Sequence, residues 1–303
     1  MSKLDVQQQL RGFEKFLNGE HFFIVGLPKS GTTWVQHLLN SHEDVICRGE
    51  SHFFDILFPQ IQRSFQHYNK EILNQGGIVA HLKEYGGHVE SLNYRIDDTH
   101  LVLLYCIYIM FRKWIDSDGN ALILGEKTPD SIRHLNLINS LLPRSKIIHV
   151  IRDGRDCATS AWFFNLSGMK SNKIVTQSFD NFASRFLKEW KSNITMAQTM
   201  GIELGDRYCE VRYEALLEQT NLEVTKLARF LGIRDEHKIV EQCVRNACFE
   251  KMGDGHPQGH ELKTAFVRKG ISGDWKNHFS ADLSHRAWSI AGDLLDSLDY
   301  PSS

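Results

Sequence analysis

One stretch restricts the fold of this chain more than any other: the apolar run His21–Gly26 (HFFIVG) leads without a break into residues 27–34 (LPKSGTTW). The run reads as a buried strand, and Val35, Leu38 and Leu39 beyond the loop have helical spacing. A strand that passes through a loop of glycine, lysine and hydroxyl residues into a helix makes an anion cradle. The first amides of that helix have no intrahelical partner, and the helix dipole adds partial positive charge at the same end. Gly26 and Gly31 have the spacing of the mononucleotide loop Gly-x-x-x-x-Gly-Lys-Ser/Thr, but Thr32 stands where that motif has lysine, and the lysine of this loop is Lys29. Nucleotide triphosphatases built on that motif add an acidic strand end that helps hold magnesium. No apolar run in this chain closes on an aspartate of that kind. The loop therefore reads as a site for one phosphate bearing a leaving group, neutralised by Lys29 and backbone amides, with no metal.

Three more apolar runs, residues 121–125 (ALILG), 145–152 (SKIIHVIR) and 206–212 (DRYCEVR), read as buried strands. Between them lie helical patterns: Phe182, Phe186, Trp190 and Ile194 at four-residue intervals, then Leu222, Leu227, Phe230 and Leu231 before Gly232. Strand–helix alternation predicts an α/β fold, a mainly parallel central sheet with helices on both faces, as one domain over residues 1–303. The 35 basic and 37 acidic residues give a net charge of 35 − 37 = −2, which argues against a protein that coats nucleic acid or an anionic membrane. The longest apolar stretch, residues 101–111, is about half of the roughly 20 residues that span a bilayer. The N-terminus lacks the apolar centre of a secretory signal, and the six cysteines are scattered without metal-ligand spacing, so a cytoplasmic protein with free thiols is expected.

Residues 27–34 resemble the 5′-phosphosulfate loop of sulfotransferases that use 3′-phosphoadenosine 5′-phosphosulfate (PAPS), and the resemblance gives Lys29, Ser30, Gly31, Thr32, Thr33 and Trp34 to that loop. Further segments follow in the family's order. Residues 152–160 (RDGRDCATS) resemble its 3′-phosphate motif, with Arg152 and Ser160 eight apart as the family's Arg and Ser are. Residues 211–214 (VRYE) resemble the strand end that offers a tyrosine, here Tyr213, near the adenine. Residues 248–252 (CFEKM) resemble the Phe-x-x-Met segment whose phenylalanine, here Phe249, packs on the adenine. Residues 266–276 (FVRKGISGDWK) resemble the loop that closes over the 3′-phosphate with Arg268, Lys269 and Gly270. The resemblance implies PAPS as co-substrate and 3′-phosphoadenosine 5′-phosphate (PAP) as product. Arginines with a hydroxyl suit the 3′-phosphate that separates PAPS from ATP. Gly270 would let backbone approach phosphate closely. Trp34 and Phe249 have two readings, plain core residues or the two faces of an adenine slot; Arg152 and Arg268 can also be read as surface ion-pairing residues, and Arg155 beside two aspartates reads as one.

The chain departs from its cytosolic relatives at the base. Their Lys-Thr-His-Leu-Pro segment corresponds to residues 125–130 (GEKTPD), where Lys127 and Thr128 remain but Pro129 replaces the catalytic histidine. Residues 48–55 (RGESHFFD) resemble the Glu-x-His-Phe-Phe-Asp segment of glycosaminoglycan sulfotransferases, which also carry Glu-Lys-Thr-Pro. That resemblance implies Glu50 as base with His52 beside it, and Lys29 and Lys127 facing the leaving oxygen. The alternatives are a structural ion pair of Glu50 with Lys127 or Arg48, and a satisfied buried His52. The expected acceptor is a hydroxyl compound, small or carrier-bound, with residues 53–115 lining its pocket and residues 256–266 as a lid. A non-catalytic PAPS-binding protein and a P-loop kinase are the competing functions. Residues 276–285 lack the dimer motif of the cytosolic relatives, which leaves oligomeric state open.

Overall fold

Five strands, His21–Gly26 (β1), Val45–Gly49 (β2), Ile123–Lys127 (β3), Lys146–Ile151 (β4) and Tyr208–Arg212 (β5), pair in the order β2-β3-β1-β4-β5, every pair parallel. The computed structural model describes residues 6–74, 81, 84, 93–119, 121–167, 178–252, 259 and 269–302. All six residues of β1 are buried, as a central parallel strand covered on both faces requires. Side-chain alternation along β1 divides the core. Phe22 and Ile24 pack with the helices Thr32–Asn40, Thr220–Leu231 and His237–Asn246. Phe23 and Val25 pack on the opposite face with Ile96–Asp118 and Phe179–Leu204. The expected α/β architecture is thus found, with helices on both faces.

Three differences from the sequence reading have plain causes. β2 is not one of the four apolar runs, because VICRG is short and ends in arginine and glycine; its register beside β3, Val45 opposite Ile123, makes it a strand. β3 runs two residues past the end of the hydropathy signal, through Glu126 and Lys127, both buried, because each finds a partner in the turn after β2. In the helix Thr220–Leu231 the buried face is Val224, Leu227, Ala228 and Leu231, while Leu222 lies in the first turn on the solvent side. The apolar stretch 101–111 belongs to the helix Ile96–Asp118, which turns Leu103, Ile107, Tyr108 and Phe111 into the core. No helix among the described residues is long and apolar enough to cross a membrane.

Parallel strands end on the same edge of the sheet. The segments that follow β1 to β5 therefore meet at the carboxyl edge, where open α/β sheets place their ligand crevices.

Candidate active site

A cavity of about 750 Å³ opens at that edge. The segments after all five strands contribute to its wall, with Lys29, Glu50, Pro129, Arg152 and Tyr213 each coming from a different one, and Lys127, the last residue of β3, lines it too. The loop after β1 turns at Lys29 (φ 74°) and Gly31 (φ 101°), both left-handed. Gly31 has to be glycine: a Cβ there would lie 2.5 Å from the ring of Tyr213, which packs beneath the loop. Among the described residues no side chain caps the helix that starts at Thr32, whose N-cap is Gly31. Thr32, Thr33 and Trp34 line the cavity with Gly31 and Lys29, whereas Ser30 is buried beneath the loop and its hydroxyl has no partner among the described residues. The Lys29 ammonium sits 4.1 Å from the centroid of the Phe164 ring.

The second group forms where β2 and β3 end side by side. Lys127, with its side chain 2% exposed, is ion-paired through Nζ to Glu50 Oε1. Glu50, half exposed, faces the cavity. His52 lies next to it, with Nε2 3.4 Å from Glu50 Oε2 and Nδ1 2.7 Å from Asp55 Oδ2. Burial works against a charged His52 ring. The Asp55 bond and the fields of Asp55, Glu50 and Asp130 outweigh it, and the histidine titrates above its ordinary value. Glu50 (φ 61°) and His52 (φ 49°) are left-handed, so with Lys29 three of the four such non-glycine residues described stand at this site. Each costs about 1–3 kcal/mol, which the surrounding hydrogen bonds offset. Arg48 is not the partner of Glu50; it pairs with Asp118.

The third group follows β4. Arg152 donates to the Lys29 carbonyl (3.0 Å) and the Ile271 carbonyl (2.9 Å) and lies over the Tyr213 ring, so it ties the loop after β1 to the segment that starts at Lys269. Its Nε is buried without a partner among the described residues. Ser160 lines the cavity two helical turns on. Arg155 is ion-paired as the sequence suggested, but in the interior rather than at the surface: it is buried, holds both oxygens of Asp153 and stacks on Trp275. Asp156 accepts from the amides of Gly273 (2.6 Å) and Trp275 (2.9 Å). Burial raises its carboxyl, and the net shift is upward despite Arg152 and these amides.

Trp34 and Phe249 both line the cavity, Trp34 with its indole N–H on the Ala247 carbonyl (3.0 Å) and its ring edge-on to Tyr213. Lys269 and Gly270 line it too. What the missing side chain of Gly270 makes room for is the ring of Phe249. Arg268 and, apart from Gly259, residues 256–266 lie outside the described residues. Of residues 53–115, none that is described lines the cavity; Phe53 and Phe54 are core residues. Pro129 and Asp130, which follow Lys127, and Phe164, beside Lys29, line it instead. Sequence reading missed Gln36 and Phe164. Gln36 lies one turn beyond Thr32 and Thr33, and Phe164 one turn beyond Ser160, so helical spacing from residues already singled out would have found both.

A family model described as "Sulfotransferase family" matches residues 21–237. Sulfotransferase 1E1 of Cavia porcellus is 28% identical over 197 residues, 56% of this chain and 65% of its own length. Sulfotransferase 2A1 of Homo sapiens is 27% identical over 185 residues, 55% of this chain and 64% of its own. The alignments thus span just under two thirds of these curated relatives. The crystal structure of mouse sulfotransferase SULT7A1 complexed with PAP shares the fold, with a TM-score of 0.56 at 14% identity, over 92% of this chain and 85% of that one.

Proposed function

This chain belongs to the sulfotransferase family, and we propose that it transfers the sulfuryl group of PAPS to an acceptor hydroxyl, releasing PAP. The observation that carries this reading is the convergence on one cavity of two lysines and a carboxylate from three strand ends, with two aromatic rings, Trp34 and Phe249, in the same wall. The cavity suits the nucleotide: it is of ligand size, and among the described residues it has a helix start without a side-chain cap and a buried arginine with an unpartnered N–H. Lys29, Gly31, Thr32 and Thr33 would hold the 5′-phosphate, Trp34 and Phe249 the adenine, and Arg152, Ser160, Lys269, Gly270 and, by resemblance, Arg268 the 3′-phosphate. PAPS when bound supplies the sulfuryl group and a phosphate leaving group.

The residues of this chain do the rest. Glu50 removes the proton of the acceptor hydroxyl, and its bond to Lys127 and proximity to His52 keep its two oxygens oriented. Lys127 and Lys29 stabilise the negative charge that grows on the leaving oxygen, preorganised by burial and by Phe164 respectively. Acceptor and nucleotide held in line account for much of the rate. The acceptor is small or carrier-bound and stands beside Glu50, where Pro129 and Asp130 also line the cavity. A reducing, cytoplasmic setting rests on the six free cysteines.

The test measures PAP release from PAPS with phenols, aliphatic alcohols, sugars and carrier-bound hydroxyacyl chains. Release that needs an acceptor and survives EDTA is the expected result. Tight PAPS binding with no release for any acceptor would make the chain a binding protein, and magnesium-dependent consumption of ATP would make it a kinase. Arg268→Ala should weaken PAP by about 1.5–3 kcal/mol and leave adenosine 5′-phosphosulfate largely unaffected.

A further inference from the structure

The turn that carries Glu50 does not hold itself, since Glu50 and His52 are both left-handed. Its three successive amides are all taken by the end of β3. Glu50 N–H donates to the Lys127 carbonyl (2.7 Å), Ser51 N–H to Glu126 Oε1 (3.0 Å) and His52 N–H to Thr128 Oγ1 (3.3 Å). The Thr128 hydroxyl in turn donates to Glu126 Oε1 (2.6 Å). Two of the three amides therefore end, directly or through Thr128, on one carboxylate oxygen. Glu126 is buried and is not part of the cavity wall.

We propose that Glu126 is the positioning residue of the base: its carboxylate clamps the 50–52 turn in the conformation that sets Glu50 against Lys127 and the cavity. The proposal rests on Glu50 being the base, but the clamp itself can be observed without turnover.

The clamp is also titratable. Burial pushes the Glu126 carboxyl up to about 7, against the Thr128 and Ser51 bonds and the positive fields of Lys127 and His52. The groups facing it are Lys127 on its own strand, His52 in the turn, Arg48 at its register position on β2 and the Cys47 thiol. As pH falls through about 7, the oxygen loses its charge and both bonds it accepts weaken.

The experiment follows the Ser51 amide by NMR in the ¹⁵N-labelled full chain between pH 5.5 and 8.5, beside kinetics of Glu126→Gln and Glu126→Ala. The Ser51 amide proton is expected to move downfield with a midpoint near 7 in the native chain and to stay still in Glu126→Gln. His52 beside the turn is titratable too, its ring raised above its ordinary value by Asp55 and Glu50, so a midpoint that survives in Glu126→Gln belongs to the histidine and overturns the clamp. Glu126→Ala should lower kcat about 10- to 100-fold with the nucleotide KM within about twofold. Glu126→Gln keeps an acceptor oxygen without the charge, so its kcat should lie between those of the native chain and Glu126→Ala, near the native chain's value at low pH, and should lose the acid limb of the pH profile. Equal loss in both variants, or full kcat in Glu126→Ala, overturns the proposal. If the native chain releases no PAP, the proposed function fails while the amide titration still decides the clamp.

Discussion

A lysine whose side chain is 2% exposed stays charged only beside a partner, and Lys127 has Glu50. The pair acts as a unit, so single and double variants should not add. Glu50→Gln is expected to lower turnover by about 10²–10⁴-fold with PAP affinity, read by calorimetry, nearly unchanged. His52→Gln should cost far less; a dead His52→Gln beside a normal Glu50→Gln would make the histidine the base. Lys127→Met should lower turnover more than PAP affinity, because the charge it meets develops only as the bond breaks. Intact turnover in that variant would reduce the lysine to a structural partner. Glu126 carries a stability cost as well. Its carboxyl is raised from 4.5 to about 7 on folding, so the folded chain holds the proton more tightly than the unfolded one and loses stability as pH rises from 4.5 to 7. Glu126→Gln should then be more stable at pH 8, by about 3 kcal/mol at most. Denaturant unfolding of both proteins at pH 8 checks this, and a less stable Glu126→Gln would contradict it.

The loop after β1 and the segment 269–275 belong to different parts of the chain, yet Arg152 bonds to both. The helix Gly154–Ser167 does the same work one turn further on, where Asp156 collects the Gly273 and Trp275 amides and Arg155 lies on the Trp275 ring. Hydrogen bonds to a charged group contribute about 1.5–3 kcal/mol each. Asp156→Ala should therefore loosen the 269–275 segment, lower stability by about 3 kcal/mol and weaken PAP about tenfold. Unchanged PAP affinity in a destabilised variant would show that this segment has no part in holding nucleotide. Gly31→Ala tests the other side: the added methyl meets Tyr213 in a backbone that L residues rarely adopt, and PAP binding should fall before the sheet unfolds.

His149 sits fully buried in β4, bonded through Nδ1 to the Tyr208 hydroxyl (2.5 Å), which donates to Glu210. Burial drives its titration down to about 3. Unfolded chain takes up a proton below about 6.5 and the folded chain does not, so this residue's contribution is complete above that pH and is lost as pH falls toward 3. The loss is about 4–5 kcal/mol, a large share of the stability of an ordinary domain. Acid unfolding should therefore steepen below pH 6.5, and His149→Gln should flatten the dependence of unfolding free energy on pH in that range. An unchanged slope would place the acid sensitivity elsewhere, with carboxylates such as Asp44, which is held low by its Arg234 bonds.

The glycine-rich loop after β1, the parallel sheet and several of the side chains around the cavity were legible in the sequence because each leaves a local mark. Gly31 is needed where backbone turns left-handed against Tyr213, and apolar runs of strand length mark β1 and β4. Glu50 and Lys127 could be named from their segments, and so could Arg152, Trp34 and Phe249. Their meeting could not be read so directly, because a pairing across 77 positions depends on β2 and β3 lying in register, and β2 carries almost no hydropathy signal. Tertiary structure alone decided that Arg152 holds two carbonyls, that Gly270 opposes Phe249 and that Glu126 takes the amides of the Glu50 turn. Backbone donors and acceptors are the same in every residue, so sequence shows which side chains can bond but not which backbone groups the fold will bring to them.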